Sequence, residues 1–258
     1  MSTDTEQTIF FVRHLKKQPE QVPRLPRFFL SAPWGWRLQC AVNGICNKYL
    51  QALHPDARQT GKEWGQKMAE RLQSAAPSGK IDQIYFSPFR RTRQTTQFLR
   101  VALPGNLPIR SLSLLREQNA GMRYGWSFEE VRRSFPWYDK MITRGEKCDP
   151  NIYLSCPEPG GESFRDLQIR AHRALEVLRT KSGTIVCVTH EGFIRAVRAE
   201  LEKWSDTEVL QTLAAGEGIP SGGVVGYHFK SGCVPKRILL IDENYSDSAN
   251  ESKEPLSR

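Results

Sequence analysis

The stretch "TIVCVTHEGFIRAV", residues 184–197, holds the transition that decides the architecture. Its first half is apolar and rich in β-branched residues without polar alternation, the pattern of a strand buried on both faces. Its second half reads as the start of a helix. Thr189 and His190 lie at the junction, and Glu191 and Gly192 open the helix. Two further runs, residues 8–12 and 81–86, have the same buried-strand character and also lead to helix-like stretches, the first after a long insertion. Strands that alternate with helices imply βαβ crossovers, because parallel neighbours cannot be joined by a hairpin. The expected fold class is α/β: a three-layer α/β/α sandwich around a mostly parallel sheet.

Working outward, "GKEWGQKMAERL" from Gly61 is a helix candidate, and "PFRRTRQTTQFLRVAL" from Pro88 is a second. For the second, Ser87 is the expected N-cap and Pro88 the first helical residue. The clearest helix covers residues 163–180. Phe164, Leu167, Ala171, Ala174, Leu175 and Leu178 recur at helical spacing there, and Ser163 with Asp166 has the form of a capping box. "FIRAVRAELEKW" supplies a fourth helix, and "VVGYHF" and "RILLID" two last strands paired as a hairpin at a sheet edge. Residues 18–57 interrupt the first strand–helix pair with prolines, "PWGW" and a short helix expected near 39–53. Insertions of this length commonly serve as lids or mobile loops. The polar residues 243–258 are expected to form a disordered tail after one catalytic domain, residues 1–242.

Hydrophobic residues make up 39% of the 258 and charged residues 25%, an ordinary globular composition. No apolar run is long enough to span a bilayer and no signal peptide is recognisable, so a cytoplasmic protein is the default. The six cysteines show no CxxC and no histidine at metal-ligand spacing, so they read as reduced thiols and neither a metal nor a cofactor is expected. A net charge of +9 is compatible with nucleic acid, but no nucleic-acid motif accompanies it. The same charge suits a small phosphorylated substrate or a solubilising surface.

Ligands of open α/β sheets lie beyond the carboxyl ends of the strands. The first strand ends in Arg13-His14, the second leads into a helix whose first turns hold Arg90, Arg91 and Arg93, and the third ends in Thr189-His190. Two histidines and an arginine cluster thus converge beside helix N-termini, which favour anions, and guanidinium forks bind phosphate bidentately. Each piece has an ordinary alternative. A strand-end histidine is usually a satisfied polar residue, the arginines suit a solvated helix face, and Glu191 complements a helix dipole. Order and number favour a phosphate pocket.

Five motifs, "VRH", "SPFRRTRQT", "LLREQNAGMRYG", "PGGESFRDLQIRA" and "VTHEGFIRAV", resemble in order those of the histidine phosphatase superfamily, phosphatase branch, with its phosphoglycerate-mutase-like fold. The resemblance runs from about residue 8 to residue 198. It implies that His14 is the nucleophile, that Glu117 donates a proton to the leaving oxygen, and that His190 stabilises the phosphoryl group. It also implies that Arg13 and Arg91 hold phosphate oxygens, and that the reaction, hydrolysis of a small-molecule or protein phosphomonoester, needs no metal. For Glu117 the alternative is a surface carboxylate paired with Arg116 or Arg123. The GES stretch, residues 161–163, reads as helix-start architecture.

The chain departs from the family pattern in several places. Leu15 replaces the glycine after His14, at a cost of about 1–2 kcal/mol if that position needs positive φ. Small polar phosphate contacts are absent, so Lys17 (or Lys16) is expected to replace them unless it faces solvent. Glu191 puts a negative charge at the phosphate site, and Tyr124 stands where many relatives have Glu. Between residues 13 and 37, six basic residues face one acid, Glu20, which suggests a basic lid using Arg24 and Arg27, with a packed insertion around Trp34 and Trp36 as the alternative. The competing functions are a phosphoglycerate-mutase-type transfer and a catalytically weak binding protein, for which Leu15 and Glu191 are the evidence.

Overall fold

The computed structural model describes residues 6–17, 35–45, 52, 53, 55–123, 126–146, 149, 151–216 and 218–241. The expected lid residues Glu20, Arg24, Arg27 and Trp34, Tyr124, and the tail at 243–258 all lie outside them.

Six strands form one sheet: β1 (Gln7–Arg13), β2 (Gln83–Phe86), β3 (Ile109–Ser111), β4 (Gly183–Thr189), β5 (Val224–Phe229) and β6 (Lys236–Ile241), in the order β3-β2-β4-β1-β5-β6. The first four are mutually parallel, and β5 and β6 close one edge as the expected antiparallel hairpin. Side chains alternate across β1. Ile9 and Phe11 enter one core with Ile185 and Cys187, while Phe10 and Val12 enter the other with Val186 and Val188. A strand covered on both sides must be apolar throughout, which is why these runs lack alternation.

Ten helices lie among the described residues: α1 (Gly35–Ile45), α2 (Pro55–Gln59), α3 (Gly61–Ala75), α4 (Arg90–Ala102), α5 (Phe128–Ser134), α6 (Pro136–Glu146), α7 (Ile152–Ser155), α8 (Phe164–Arg179), α9 (Glu191–Leu201) and α10 (Asp206–Ala214). Leu72 of α3 and Leu99 of α4 pack on the Phe10 face, and Leu167 of α8 and Val197 of α9 on the Phe11 face. The three-layer α/β/α arrangement is therefore as expected. Ser163 caps α8 in a reciprocal box with Asp166.

Several boundaries differ from the sequence reading. β2 begins at Gln83, two residues after Ile81. Helix α1 begins at Gly35, four residues before the expected 39–53 span, and covers that span to Ile45; residues 46–51 lie outside the described residues, and Leu53 bridges Lys17 in antiparallel fashion. Helix α4 starts at Arg90 with Phe89 at the cap position and no side-chain cap, so neither Ser87 nor Pro88 has the expected role. Ser87 continues the strand ladder, its N–H donating to Val188 O at 3.0 Å, and its hydroxyl is engaged by a histidine. The described part of the insertion is packed. Gln39 and Asn43 are buried and bonded to each other, and Asn43 Nδ2 donates to Gly121 O at 2.9 Å. Among the described residues no helix is long and apolar enough to cross a membrane.

Candidate active site

Strand register creates the site. Arg13 is level with Thr189, and Phe86 with Val188, so residues 14, 87 and 190 emerge side by side at the carboxyl edge. His14 N–H donates to Thr189 O at 3.0 Å, tying His14 to the residue that precedes His190. His14 and His190 are 4% and 0% exposed, and their rings meet edge-on with centroids 5.2 Å apart.

Hydrogen bonding assigns the protons. His14 Nδ1 lies 2.6 Å from Leu15 O, and a carbonyl only accepts, so Nδ1 carries the hydrogen. That leaves a lone pair on Nε2, which accepts from Arg91 Nε at 3.1 Å. Arg91 Nη2 lies 3.1 Å from His190 Nδ1; a guanidinium only donates, so His190 is protonated on Nε2 and donates to Ser87 Oγ at 2.7 Å. Burial, reinforced by the Arg91 charge, holds both imidazoles well below the ordinary histidine value. Both rings are therefore neutral near pH 7.

Helix α4 sorts the three arginines. Arg90 and Arg93 are exposed, whereas Arg91 is 1% exposed with its guanidinium over the Phe89 ring. Thr95 Oγ1 donates to Arg91 O and accepts from Leu15 N–H, tying this helix to the residue after His14. Leu15 has a negative φ and packs in the apolar core beside Val12 and Trp64, so replacing glycine there introduces no backbone strain.

Arg13 Nη1 donates to Ile219 O at 2.6 Å, while its Nε is buried without a hydrogen bond among the described residues. The loop bearing Ile219 turns at Gly222, whose φ of +82° suits glycine and whose carbonyl accepts from Trp64 Nε1. Glu117 follows the 3-10 turn Ser113–Leu115, itself held by Thr189 Oγ1 donating to Leu115 O. Its Oε2 lies 3.8 Å from His190 Nδ1, and its Oε1 accepts from Gln118 N–H at 3.0 Å. Arg116 and Arg123 face Glu162 and Glu158 instead, so the alternative of a Glu117 surface pair is not what forms.

Two expected contacts are less direct. Lys17 lies near enough to both histidines for its charge to disfavour their protonation. Glu191 turns toward Arg195, 2.7 Å away, and packs against Gly218; burial raises its carboxyl above the usual range. Glu191 thus borders the site through Arg13 and Arg195. Sequence reasoning missed Ser87 as the partner of His190. It also missed the buried pair of Arg170 and Glu162, whose signal is the two-turn spacing between the GES motif and an arginine in helix α8.

His14, Arg91 and His190, with Arg13 and Glu117 at the rim, can receive a tetrahedral dianion and deliver a neutral imidazole nitrogen to it. The profile of the histidine phosphatase superfamily (branch 1) matches residues 62–215, more than half the chain, including Arg91, Glu117 and His190. Among curated proteins, phosphoserine phosphatase 1 of Hydrogenobacter thermophilus is 28% identical over 157 residues, 60% of this chain and 68% of that protein. Fructose-2,6-bisphosphatase of Saccharomyces cerevisiae is 25% identical over 142 residues, 54% of this chain but only 27% of the yeast protein. Among solved structures, a mycobacterial hydrolase superimposes with a TM-score of 0.60 at 17% identity, covering 95% of each chain. Mycobacterial glucosyl-3-phosphoglycerate phosphatase gives 0.56 at 17%, covering 86% of this chain and 90% of the other. The chain belongs to the histidine phosphatase superfamily, branch 1, and has the phosphoglycerate-mutase-like fold.

Proposed function

We propose that the protein is a phosphomonoesterase that works through a phosphohistidine at His14 and requires no metal ion. The observation that carries this reading is the fixed tautomer of His14. Its Nδ1 hydrogen is committed to Leu15 O, and the Nε2 lone pair points into the arginine-lined site. The named relatives act on phosphoserine and fructose 2,6-bisphosphate, both phosphomonoesters.

A substrate dianion takes over the Arg91 donors now directed at the two rings, and Arg13 supplies a second guanidinium. His14 Nε2 then attacks phosphorus as the bond to the ester oxygen breaks, and the Glu117 carboxyl gives that oxygen a proton. With Arg91 redirected, loss of the Nε2 proton to solvent and uptake of one at Nδ1 give the His190 tautomer whose Nδ1–H faces the phosphoryl oxygens while Nε2 accepts from the Ser87 hydroxyl. In the second half, Glu117 takes a proton from water as it attacks phosphorus, and the His14–phosphorus bond breaks to release phosphate. Positioning and charge neutralisation, the main demands of phosphoryl transfer, are met by Arg13, Arg91 and His190. Lys17 adds positive charge near the site, and the rim pair of Glu191 and Arg195 shapes which esters enter.

The test is hydrolysis of an aryl phosphate in EDTA by the wild type and by His14→Ala. The wild type turns over, and the variant loses a factor on the order of 10^4 or more. Quenched wild-type enzyme carries an acid-labile, base-stable phosphate on His14. Turnover that EDTA abolishes, or that survives His14→Ala, refutes the reading.

A further inference from the structure

Arg170 of helix α8 is 5% exposed, and its guanidinium is the most completely engaged cation outside the phosphate pocket for which contacts are described. Nε and Nη2 donate to the two carboxylate oxygens of Glu162 at 2.8 and 2.6 Å. Nη1 donates to Leu114 O at 2.8 Å and Arg116 O at 2.7 Å, and Nη2 reaches Glu117 O at 3.3 Å. Three of the four backbone carbonyls from 114 to 117 therefore end on one side chain. Glu162 also holds the far side of this segment, since its carbonyl accepts from Gln118 Nε2 at 2.9 Å and its Oε2 from Asn119 N–H at 3.3 Å. Glu117 itself sits on an irregular stretch after a 3-10 turn, where no regular ladder defines its carboxylate position.

We infer that Arg170, locked by Glu162, is a positioning residue that holds the Glu117 carboxyl where it can protonate the leaving oxygen. Helix α8 is anchored in the core through Leu167, Ala171 and Ala174, so the clamp ties the irregular segment bearing Glu117 to a packed helix. The pair makes the GES stretch more than a helix start. Ser163 caps the helix while Glu162, one residue earlier, orients its arginine. The inference rests on the proposed role of Glu117, and the two are separable by experiment.

Proton donation matters only for poor leaving groups. The variants Arg170→Lys, Glu162→Gln and Glu117→Gln are compared with the wild type by kcat/KM on a graded series, from 2,4-dinitrophenyl phosphate through phenyl phosphate to an alkyl phosphate. A displaced acid lowers kcat/KM for the alkyl ester about tenfold to a hundredfold, as small misplacements do, and leaves the dinitrophenyl ester within about twofold. Adding Arg170→Lys to Glu117→Gln brings no further dependence on the leaving group. If Glu117→Gln fails to steepen that dependence, the acid is wrongly assigned and the inference falls with it. If Glu117→Gln steepens it while Arg170→Lys lowers every ester equally, or none, the clamp is refuted and the acid stands. Should Arg170→Lys not fold, Glu162→Gln carries the same comparison, with loss graded by leaving group as the expected result and uniform loss as the overturning one.

Discussion

His14 and His190 are buried without positive charge, and this costs the fold stability in acid. An unfolded chain binds a proton on each ring below about pH 6.5, the ordinary histidine value, whereas burial and Arg91 keep the native rings neutral to lower pH. The unfolded state thus holds more protons, so stability falls as the pH drops. Each histidine contributes a slope of at most about 1.4 kcal/mol per pH unit, beginning near 6.5 and ending at its depressed native value. Urea unfolding midpoints between about pH 7.5 and 5.5 measure this, and His14→Asn removes part of the slope. A stability that is flat with pH contradicts the buried neutral pair.

At the scale of elements, helix α9 and the Glu117 segment meet at Gly192. A Cβ at residue 192 would lie 2.8 Å from Glu117 Oε1, so the second residue of this helix is kept small by its neighbour's carboxylate. Gly192→Ala raises the intrinsic helix propensity by about 1 kcal/mol yet pushes the carboxylate aside. The expected outcome is a Tm that holds or rises together with a fall in kcat/KM of about tenfold or more on an alkyl phosphate. A lower Tm with unchanged activity would mean that the strain is relieved by moving the helix. The junction of β2 and α4 shows the reverse dependence. Ser87 has the residue type of a helix cap, but the proximity of His190 recruits its hydroxyl, and the helix starts three residues later without one.

For the whole molecule, a net charge of +9 accompanies a site proposed to take a phosphate dianion. Long-range attraction of this kind is screened over about 8–10 Å at ordinary ionic strength. Raising salt from about 0.02 to 0.5 M is therefore expected to lower kcat/KM for phosphate esters severalfold, mainly through KM. Independence of salt would assign the excess charge to solubility alone.

The strands around the centre of the sheet were legible because a parallel strand covered on both faces is apolar or β-branched along its length, as residues 184–189 are. Helix α8 was equally plain, since its apolar period and its Ser163–Asp166 box are local signals. The short edge strand β3 was not, because three residues carry no periodicity. Residue types at strand ends, with the family motifs, located His14, Arg91, Glu117 and His190 as candidates. Chemistry within that set depends on relations the linear chain does not contain: the register that sets residue 14 beside residue 190, and the carbonyl that fixes the proton on His14. The arginine that faces inward was chosen by motif alignment in the sequence and by burial in the structure, and the two agree on Arg91. What only the tertiary structure decided were the partner of Ser87 and the backbone carbonyls that Arg170 holds. A hydrogen bond between residues 53 to 103 positions apart is specified by packing, and no local propensity announces it.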